Sequence, residues 1–176
     1  APYYNYITHK IASGQQLNIG PADNASMAFW FKDADNLPPN NRQKCIFAFS
    51  NTASLTNKRA MIMYYGSTTA GSQYLTTSYY IPPAASNSNI ISNVLTTFTR
   101  DQWYHIGLTF TGGTSKLFIN GVLQDTRTSL LNDSFTFRFT NADNSLCLNF
   151  NTNNPDQGES GNQAYDEFRI YKRALS

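Results

Sequence analysis

Residues Trp103–Thr126 read WYHIGLTFTGGTSKLFINGVLQDT. Tyr104, Ile106, Leu108 and Phe110 alternate with Trp103, His105, Gly107 and Thr109, the two-residue period of a strand with one buried face. Thr111-Gly112-Gly113-Thr114 then supplies turn residues that tolerate positive φ. Leu117 and Ile119 are spaced to pack beside the preceding strand, and Asn120-Gly121 is a strong two-residue hairpin sequence from which VLQDT returns. Three antiparallel strands in succession make a meander. Meanders accompanied by many short strands belong to sandwiches and jelly rolls.

Strand patterns recur outward from this stretch in both directions. Strands are expected near Tyr3–Ile7, Gln16–Ile19, Met27–Lys32, Cys45–Ser50, Ala60–Tyr65, Gln73–Tyr80, Trp103–Thr111, Lys116–Asn120, Val122–Gln124, Phe135–Thr140, Leu146–Phe150 and Glu167–Tyr171. Breakers such as GPADN, LPPNN, GSTTAGS, IPPAAS and NPDQGESG separate them. Nothing reads as a helix of more than a turn, and there is neither an internal repeat nor a linker. Residues 1–176 therefore form one all-β domain, a jelly-roll sandwich of two antiparallel sheets.

Charged residues make up 14% of the 176, against roughly 25% in an average soluble domain. Asn, Thr, Ser and Gln must solvate the surface instead, as in TASLTN, NSNIISN and NTNNPDQ. That style suits an extracellular protein at a cell or virion surface. A net charge of +2 from scattered basic residues gives no argument for a nucleic-acid partner, and none is expected. No apolar run approaches the ~20 residues that would insert across a bilayer. The chain opens on Ala1 with neither an initiator Met nor a signal peptide, and the expectation is a domain excised from a larger protein. Cys45 shares a strand face with Phe47 and Phe49, whereas Cys147 shares one with Ser145 and Asn149. These faces leave open whether the two pair.

DQWYHIGLTFTGGTSKLFINGVLQDT resembles the central motif of laminin-G-like domains, a branch of the concanavalin A-like jelly rolls. Three further segments match in order. SGQQLNIG (Ser13–Gly20) resembles the first core strand, SMAFWFK (Ser26–Lys32) an aromatic-Trp core strand, and YDEFRIYKRALS (Tyr165–Ser176) the closing strand. The resemblance implies that the N- and C-terminal strands pair near each other, with the late meander in the sheet opposite. It implies a fold and leaves the function open, since such folds serve lectins, glucanases and structural modules alike.

Glycoside hydrolases of this superfamily carry two close carboxylates spaced along one strand, about 5–5.5 Å apart for retaining chemistry. Here the only glutamates are Glu159, in the loop DQGESG, and Glu167, inside the closing motif. No such spacing exists, so the chain is read as not an enzyme. His105 lies within the fold motif with no acidic neighbour and reads as a hydrogen-bonded structural histidine; His9 has no partner pattern. The resemblance also raises calcium, which takes six to eight oxygens, several from carboxylates. The corresponding segments are Asn57-Lys58-Arg59, with two cations, and Asn151–Asn154, rich in amides. Neither suits calcium, although the loop acids Asp23, Asp143, Asp156 and Glu159 offer other oxygens. The expectation is no cofactor. Asn24-Ala25-Ser26 and Asn132-Asp133-Ser134 have the N-glycosylation pattern.

Tyrosines cluster beside turns. Sugars bind through stacking on aromatic rings and hydrogen bonds to amides and hydroxyls. Tyr64, Tyr74, Tyr79 and Tyr80, with Asn151, Asn153 and Asp156 of the NTNNPDQGESGNQ loop, are the candidate ligand contacts. The segments Tyr64–Pro83 and Asn151–Gln163 are expected to line one cleft, where alternation on Gln73–Tyr80 turns Tyr74, Thr76 and Ser78 to a polar face. The leading function is non-catalytic binding of a glycan or glycosylated surface in adhesion or attachment. The alternative is a structural or protein-interaction domain of a larger assembly, such as a viral or phage spike or fibre or an adhesin, with parent-protein domains as partners. Circular dichroism of the chain is expected to be β-dominated; helix above about 15% would overturn the strand assignment.

Overall fold

The computed structural model describes residues 7–10, 18–19, 24–34, 43–50, 59–67, 73–80, 87–95, 98–128, 137–138, 145–148 and 162–175. Thirteen strands and no helix occur among them: β1 (Ile7–Lys10), β2 (Asn18–Ile19), β3 (Ala25–Asp33), β4 (Gln43–Ser50), β5 (Arg59–Ser67), β6 (Gln73–Tyr80), β7 (Asn87–Leu95), β8 (Tyr104–Thr111), β9 (Thr114–Ile119), β10 (Val122–Thr128), β11 (Phe137–Arg138), β12 (Ser145–Leu148) and β13 (Gln163–Tyr171). One sheet runs β1-β12-β4-β5-β6-β7 and the other β10-β9-β8-β3-β13, with β2 and β11 paired separately. All pairings are antiparallel. This is the jelly-roll sandwich that the alternation implied.

The core forms where the inward residues of the two sheets meet. Met27, Phe29 and Phe31 of β3, Ile106, Leu108 and Phe110 of β8, and Leu117 of β9 are buried against Ile46, Phe47, Met63 and Leu75 of the six-stranded sheet. Phe29 joins the layers: its ring meets Phe47 edge-on at 5.8 Å and stacks on Phe168 of β13 at 5.0 Å. A second aromatic group, Phe31, Phe98 and Tyr104, has centroids 5.5 and 4.8 Å apart along the chain Phe31–Phe98–Tyr104. Such pairs add about 0.5–1.5 kcal/mol each beyond the area they bury.

Polar ties also cross between the sheets. Lys44 Nζ of β4 donates to both carboxylate oxygens of Asp33 on β3, at 3.2 and 2.9 Å, with both residues buried. The β4–β5 ladder shifts register between Cys45 and Phe47, which leaves Ile46 without a partner in it. The Tyr165 hydroxyl, from the other sheet, donates to the Ile46 carbonyl at 2.8 Å and satisfies that buried acceptor. Gln73 Oε1 of β6 accepts from the Phe98 amide at 3.1 Å.

Four expectations change. The meander β8-β9-β10 lies in the same sheet as the closing strand β13, not opposite it, while β1 pairs with β12 in the other sheet. The physical reason is that β3 pairs with β8 on one side and β13 on the other, which brings the C-terminus beside the meander. Of Ser13–Gly20, only Asn18–Ile19 lies within the described residues, and it pairs with β11 rather than joining either large sheet. The sequence pattern places no strand between Tyr80 and Trp103, yet Asn87–Leu95 is the edge strand β7. It is held by backbone bonds to β6, which its Asn- and Ser-rich side chains neither announce nor oppose. The closing strand begins at Gln163, before its expected start at Glu167, because a bulge between Asp166 and Arg169 breaks the alternation.

Cys147 stands opposite Ala48, three positions along β4 from Cys45. At about 3.3 Å per residue, that offset exceeds the roughly 7 Å between Cα atoms that a disulfide spans. The backbone thus keeps the two cysteines apart.

Replacing Lys44 with Met leaves the Asp33 carboxylate buried without its cation. A loss of about 3–5 kcal/mol is expected in urea unfolding, most of it recovered by the double change Lys44→Met with Asp33→Leu.

Candidate functional site

On β3 the alternation that buries Met27, Phe29 and Phe31 turns Ala28, Trp30 and Lys32 outward. On β8 it turns His105 and Gly107 outward, and Trp103 precedes them. The β3–β8 register sets Trp30 opposite His105 and Ala28 opposite Gly107. The outer face of the five-stranded sheet therefore carries aromatic rings in consecutive rows. Trp30 and His105 lie with ring centroids 5.1 Å apart, tilted by 56°. Lys32 Nζ sits 5.1 Å from the centroid of the Trp103 ring. Trp30 is 37% and Trp103 39% exposed, which is high for the residue type that contributes most to buried cores.

Beside these rings, Ala28 and Gly107 make a floor without bulk. A Cβ at Gly107 would meet Phe118 Cβ at 3.6 Å, an ordinary contact, so space does not demand glycine. What its missing side chain does is keep the floor low between Trp30 and Phe118.

The margins are polar. Asp166 of β13 stands opposite Trp30 and Arg169 opposite Ala28. Between them is the bulge, where Glu167 takes a φ of 49°. That left-handed conformation costs a non-glycine residue about 1 kcal/mol or more. Asp166 Oδ1 supports it by accepting from the Glu167 amide at 2.8 Å. The bulge puts Tyr165 and Phe168 both against the core while Asp166 and Glu167 remain exposed. Arg169 Nη2 pairs with Glu167 Oε1 at 3.1 Å. The Arg169 guanidinium is held above its ordinary value first by the hydrogen bond it donates to the Tyr171 side chain and then by the Glu167 carboxylate. On the other side, the Asn120-Gly121 turn, with φ of 51° and 78°, is locked to His105. Asn120 Oδ1 accepts from the His105 amide and the Asn120 amide donates to the His105 carbonyl, both at 2.8 Å. The far end is closed by the C-terminal segment. The buried Ser26 hydroxyl donates to the Arg173 carbonyl at 2.9 Å and accepts from the Leu175 amide at 2.8 Å.

His105 is thus not the hydrogen-bonded structural histidine expected. Its backbone makes those bonds, and its imidazole is half-exposed against Trp30. In the sequence, Trp30 and Trp103 stand only within fold motifs. The signal available was parity: in SMAFWFK the tryptophan alternates out of step with the phenylalanines.

The sequence-derived contacts fall on the other sheet or outside the described residues. Tyr64 lies on β5 opposite Cys45 and Thr76, and Tyr74 lies on β6, half-buried, opposite Gly66 and Leu95. Tyr79 stands opposite Met61 and Ser88, and Tyr80 opposite Asn87. Asn151, Asn153 and Asp156 lie outside the described residues, and so does the cleft they were to line. On β6, Gln73, Leu75 and Thr77 are buried. Thr76, on the face expected to be open, is buried too, so that face is covered at its middle. No group of three or more His, Cys, Asp or Glu side chains able to hold a metal occurs among the described residues.

A family model described as the concanavalin A-like lectin/glucanases superfamily matches residues 4–176. No curated protein sequence matches the chain. Among solved structures, a native heptameric SAP-like pentraxin from Limulus polyphemus gives a TM-score of 0.55 at 14% identity, over 98% of this chain and 78% of that one. Domain 4 of AbnA, a GH43 extracellular arabinanase from Geobacillus stearothermophilus, solved in complex with arabinotriose, gives 0.57 at 20% identity, over 90% and 64%. Botulinum neurotoxin type C, whose cell entry is described as dependent on two ganglioside molecules, gives 0.59 at 16% identity, over 88% of this chain. This chain spans 33% of that neurotoxin structure. Polysaccharide lyases are matched as well. At such identities the likeness is one of fold.

Trp30 and Trp103 are the only two tryptophans of the chain, so its intrinsic fluorescence reports on this one face. Acrylamide is expected to quench the emission along a single straight Stern–Volmer line, with no protected fraction. A protected fraction would mean that the face is covered in solution.

Proposed function

We propose that this chain, which belongs to the concanavalin A-like lectin/glucanases superfamily, is a non-catalytic recognition module that binds glycans. The observation that carries the reading is the exposed Trp30–His105 pair on the outer sheet face, with carboxylate and guanidinium groups at its margin. A tryptophan exposed in this way presents an apolar plane to the C–H face of a sugar, and the margin supplies hydrogen bonds to hydroxyls. The arabinotriose complex and the ganglioside dependence described for two similar structures lend support, as analogies of fold.

Binding rather than catalysis is favoured by the state of the carboxylates. A glycosidase acid is shielded from water so that it holds its proton. Glu167 is instead more than half exposed and paired with Arg169, and Asp166 caps the backbone beside it. The setting we infer is adhesion or attachment at an extracellular, cell or virion surface, in keeping with the low charge and the Asn- and Thr-rich surface. No cofactor takes part in this reading. Tyr64, Tyr74, Tyr79 and Tyr80, with Asn151, Asn153 and Asp156, remain the alternative set of contacts that the sequence proposes.

A rival reading, a protein-interaction domain of a larger assembly, has its own observation. Val122 and Leu123, at the β9–β10 turn, are 61% and 49% exposed.

A glycan array followed by fluorescence titration tests these readings together. At least one neutral glycan is expected to bind. Trp30→Ala should weaken it by about tenfold or more, equivalent to 1.4 kcal/mol, while Tyr79→Ala and Asn153→Ala leave it unchanged. EDTA should have no effect; a loss of binding with EDTA would restore calcium. A blank array, with dimerisation that Leu123→Ser abolishes in light scattering, would favour the protein-interaction reading.

A further inference from the structure

We infer that Trp103 forms a second stacking subsite continuous with Trp30, so that the ligand of this face is an uncharged, linear oligosaccharide long enough to reach both rings. The inference rests on the glycan reading and names the class of glycan.

Geometry supplies the first ground. Trp30 is opposite His105, and Trp103 lies two residues before His105 on the same chain, so the tryptophans are diagonal neighbours on one face. Diagonal positions on a sheet are about 7–8 Å apart. One sugar ring stacked on either indole leaves the other open, whereas consecutive units of a chain engage both. The path is bounded. Ser26 and the segment Arg173–Leu175 close one end, and the low floor of Ala28 and Gly107 leads away from Trp30. Trp103 stands at the other end, next in the chain to the exposed turn at Arg100 and Asp101.

Charge supplies the second. Around the two rings, each described charged group has a partner on the protein. Glu167 pairs with Arg169 at 3.1 Å, Arg100 with Asp101 at 3.3 Å, and Lys32 lies over Trp103. Asp166 accepts from the Glu167 amide. Around the two rings three cations, Lys32, Arg100 and Arg169, stand with three anions, Asp101, Asp166 and Glu167, while the exposed Lys116 and Arg173 lie farther off, at the Ser26 end. Beside the two rings a uronate or sialic acid would find no surplus cation, and an aminosugar no surplus anion. Electrostatic complementarity therefore selects a neutral ligand. Lys32 adds one condition. Its ammonium occupies a face of the Trp103 ring, and the sugar must displace it, which an exposed cation–π contact permits.

The test titrates the full chain, by fluorescence and isothermal calorimetry, with mono-, di- and tetrasaccharides of neutral glucose, xylose and arabinose, and with oligogalacturonate. In whichever neutral series binds, affinity should rise about tenfold or more from mono- to tetrasaccharide, 1.4 kcal/mol by conversion, and stay insensitive to salt. Trp103→Ala should remove that gain and bring the tetrasaccharide down to the monosaccharide level. Trp30→Ala should lower both. Trp103→Leu keeps the bulk without the aromatic plane and should behave as Trp103→Ala, so a folding defect in one variant does not decide the outcome. Affinity independent of length, a tetrasaccharide indifferent to both Trp103 variants, or preferred and salt-sensitive binding of oligogalacturonate would overturn the inference. A glycan that binds unaffected by Trp30→Ala and Trp103→Ala but is lost in Tyr79→Ala would also overturn it, while sparing the glycan reading. Silence from every saccharide would remove both.

Discussion

Trp30 can stand outside the sandwich only while Phe29 and Phe31 are held inside it. The three are consecutive, and side chains on a strand point alternately to opposite faces, so one register assigns all of them. That register is fixed twice, by β8 on one side and β13 on the other. Sliding β3 by one residue would bury Trp30 and Lys32 against Phe47 and expose two phenylalanines, which the core cannot tolerate. Phe29 stacks on Phe168 and abuts Phe47, so the aromatic contact between the sheets is also what fixes the position of the outer face.

Polar groups between the layers narrow the choice further. An apolar core of similar volume could be built in several registers, but Lys44 and Asp33 can be buried only if they meet. The Tyr165 hydroxyl and the Ile46 carbonyl impose a similar demand at the β4 bulge. Each tie joins β3 or β13 to β4, the strands at the heart of the aromatic contact. Mispairing at this seam would cost a buried charge or an unsatisfied carbonyl in addition to lost packing.

The sheet edges point association toward the faces. β1 is short, the pairing of β7 is irregular, β10 is bulged between Leu123 and Asp125, and β13 is bulged at Glu167. Bulges, charges and short strands are how β proteins discourage a further strand from adding on. The outer face of the five-stranded sheet is where the described residues leave two tryptophans, Trp30 and Trp103, exposed. The same bulge that guards the β13 edge turns Asp166 and Glu167 toward that face.

The sequence by itself determined the strands that bury one face. The alternation of Trp103–Thr111, the Asn120-Gly121 turn and the alternation in SMAFWFK are local, and local periodicity is what a single chain displays. The family resemblance rested on the same segments. Tertiary structure alone decided which strands became neighbours, because backbone hydrogen bonds pair any two strands and carry no side-chain code. The meander is therefore expected in the sheet opposite the closing strand although it shares that strand's sheet, and the Asn-rich β7 carries no strand pattern. The site followed the same division. Tyrosine clusters beside turns are conspicuous in sequence, so Tyr74 and Tyr79 drew attention there. Trp30, His105, Trp103 and Asp166 lie far apart along the chain and become one surface only when β3, β8 and β13 pair side by side.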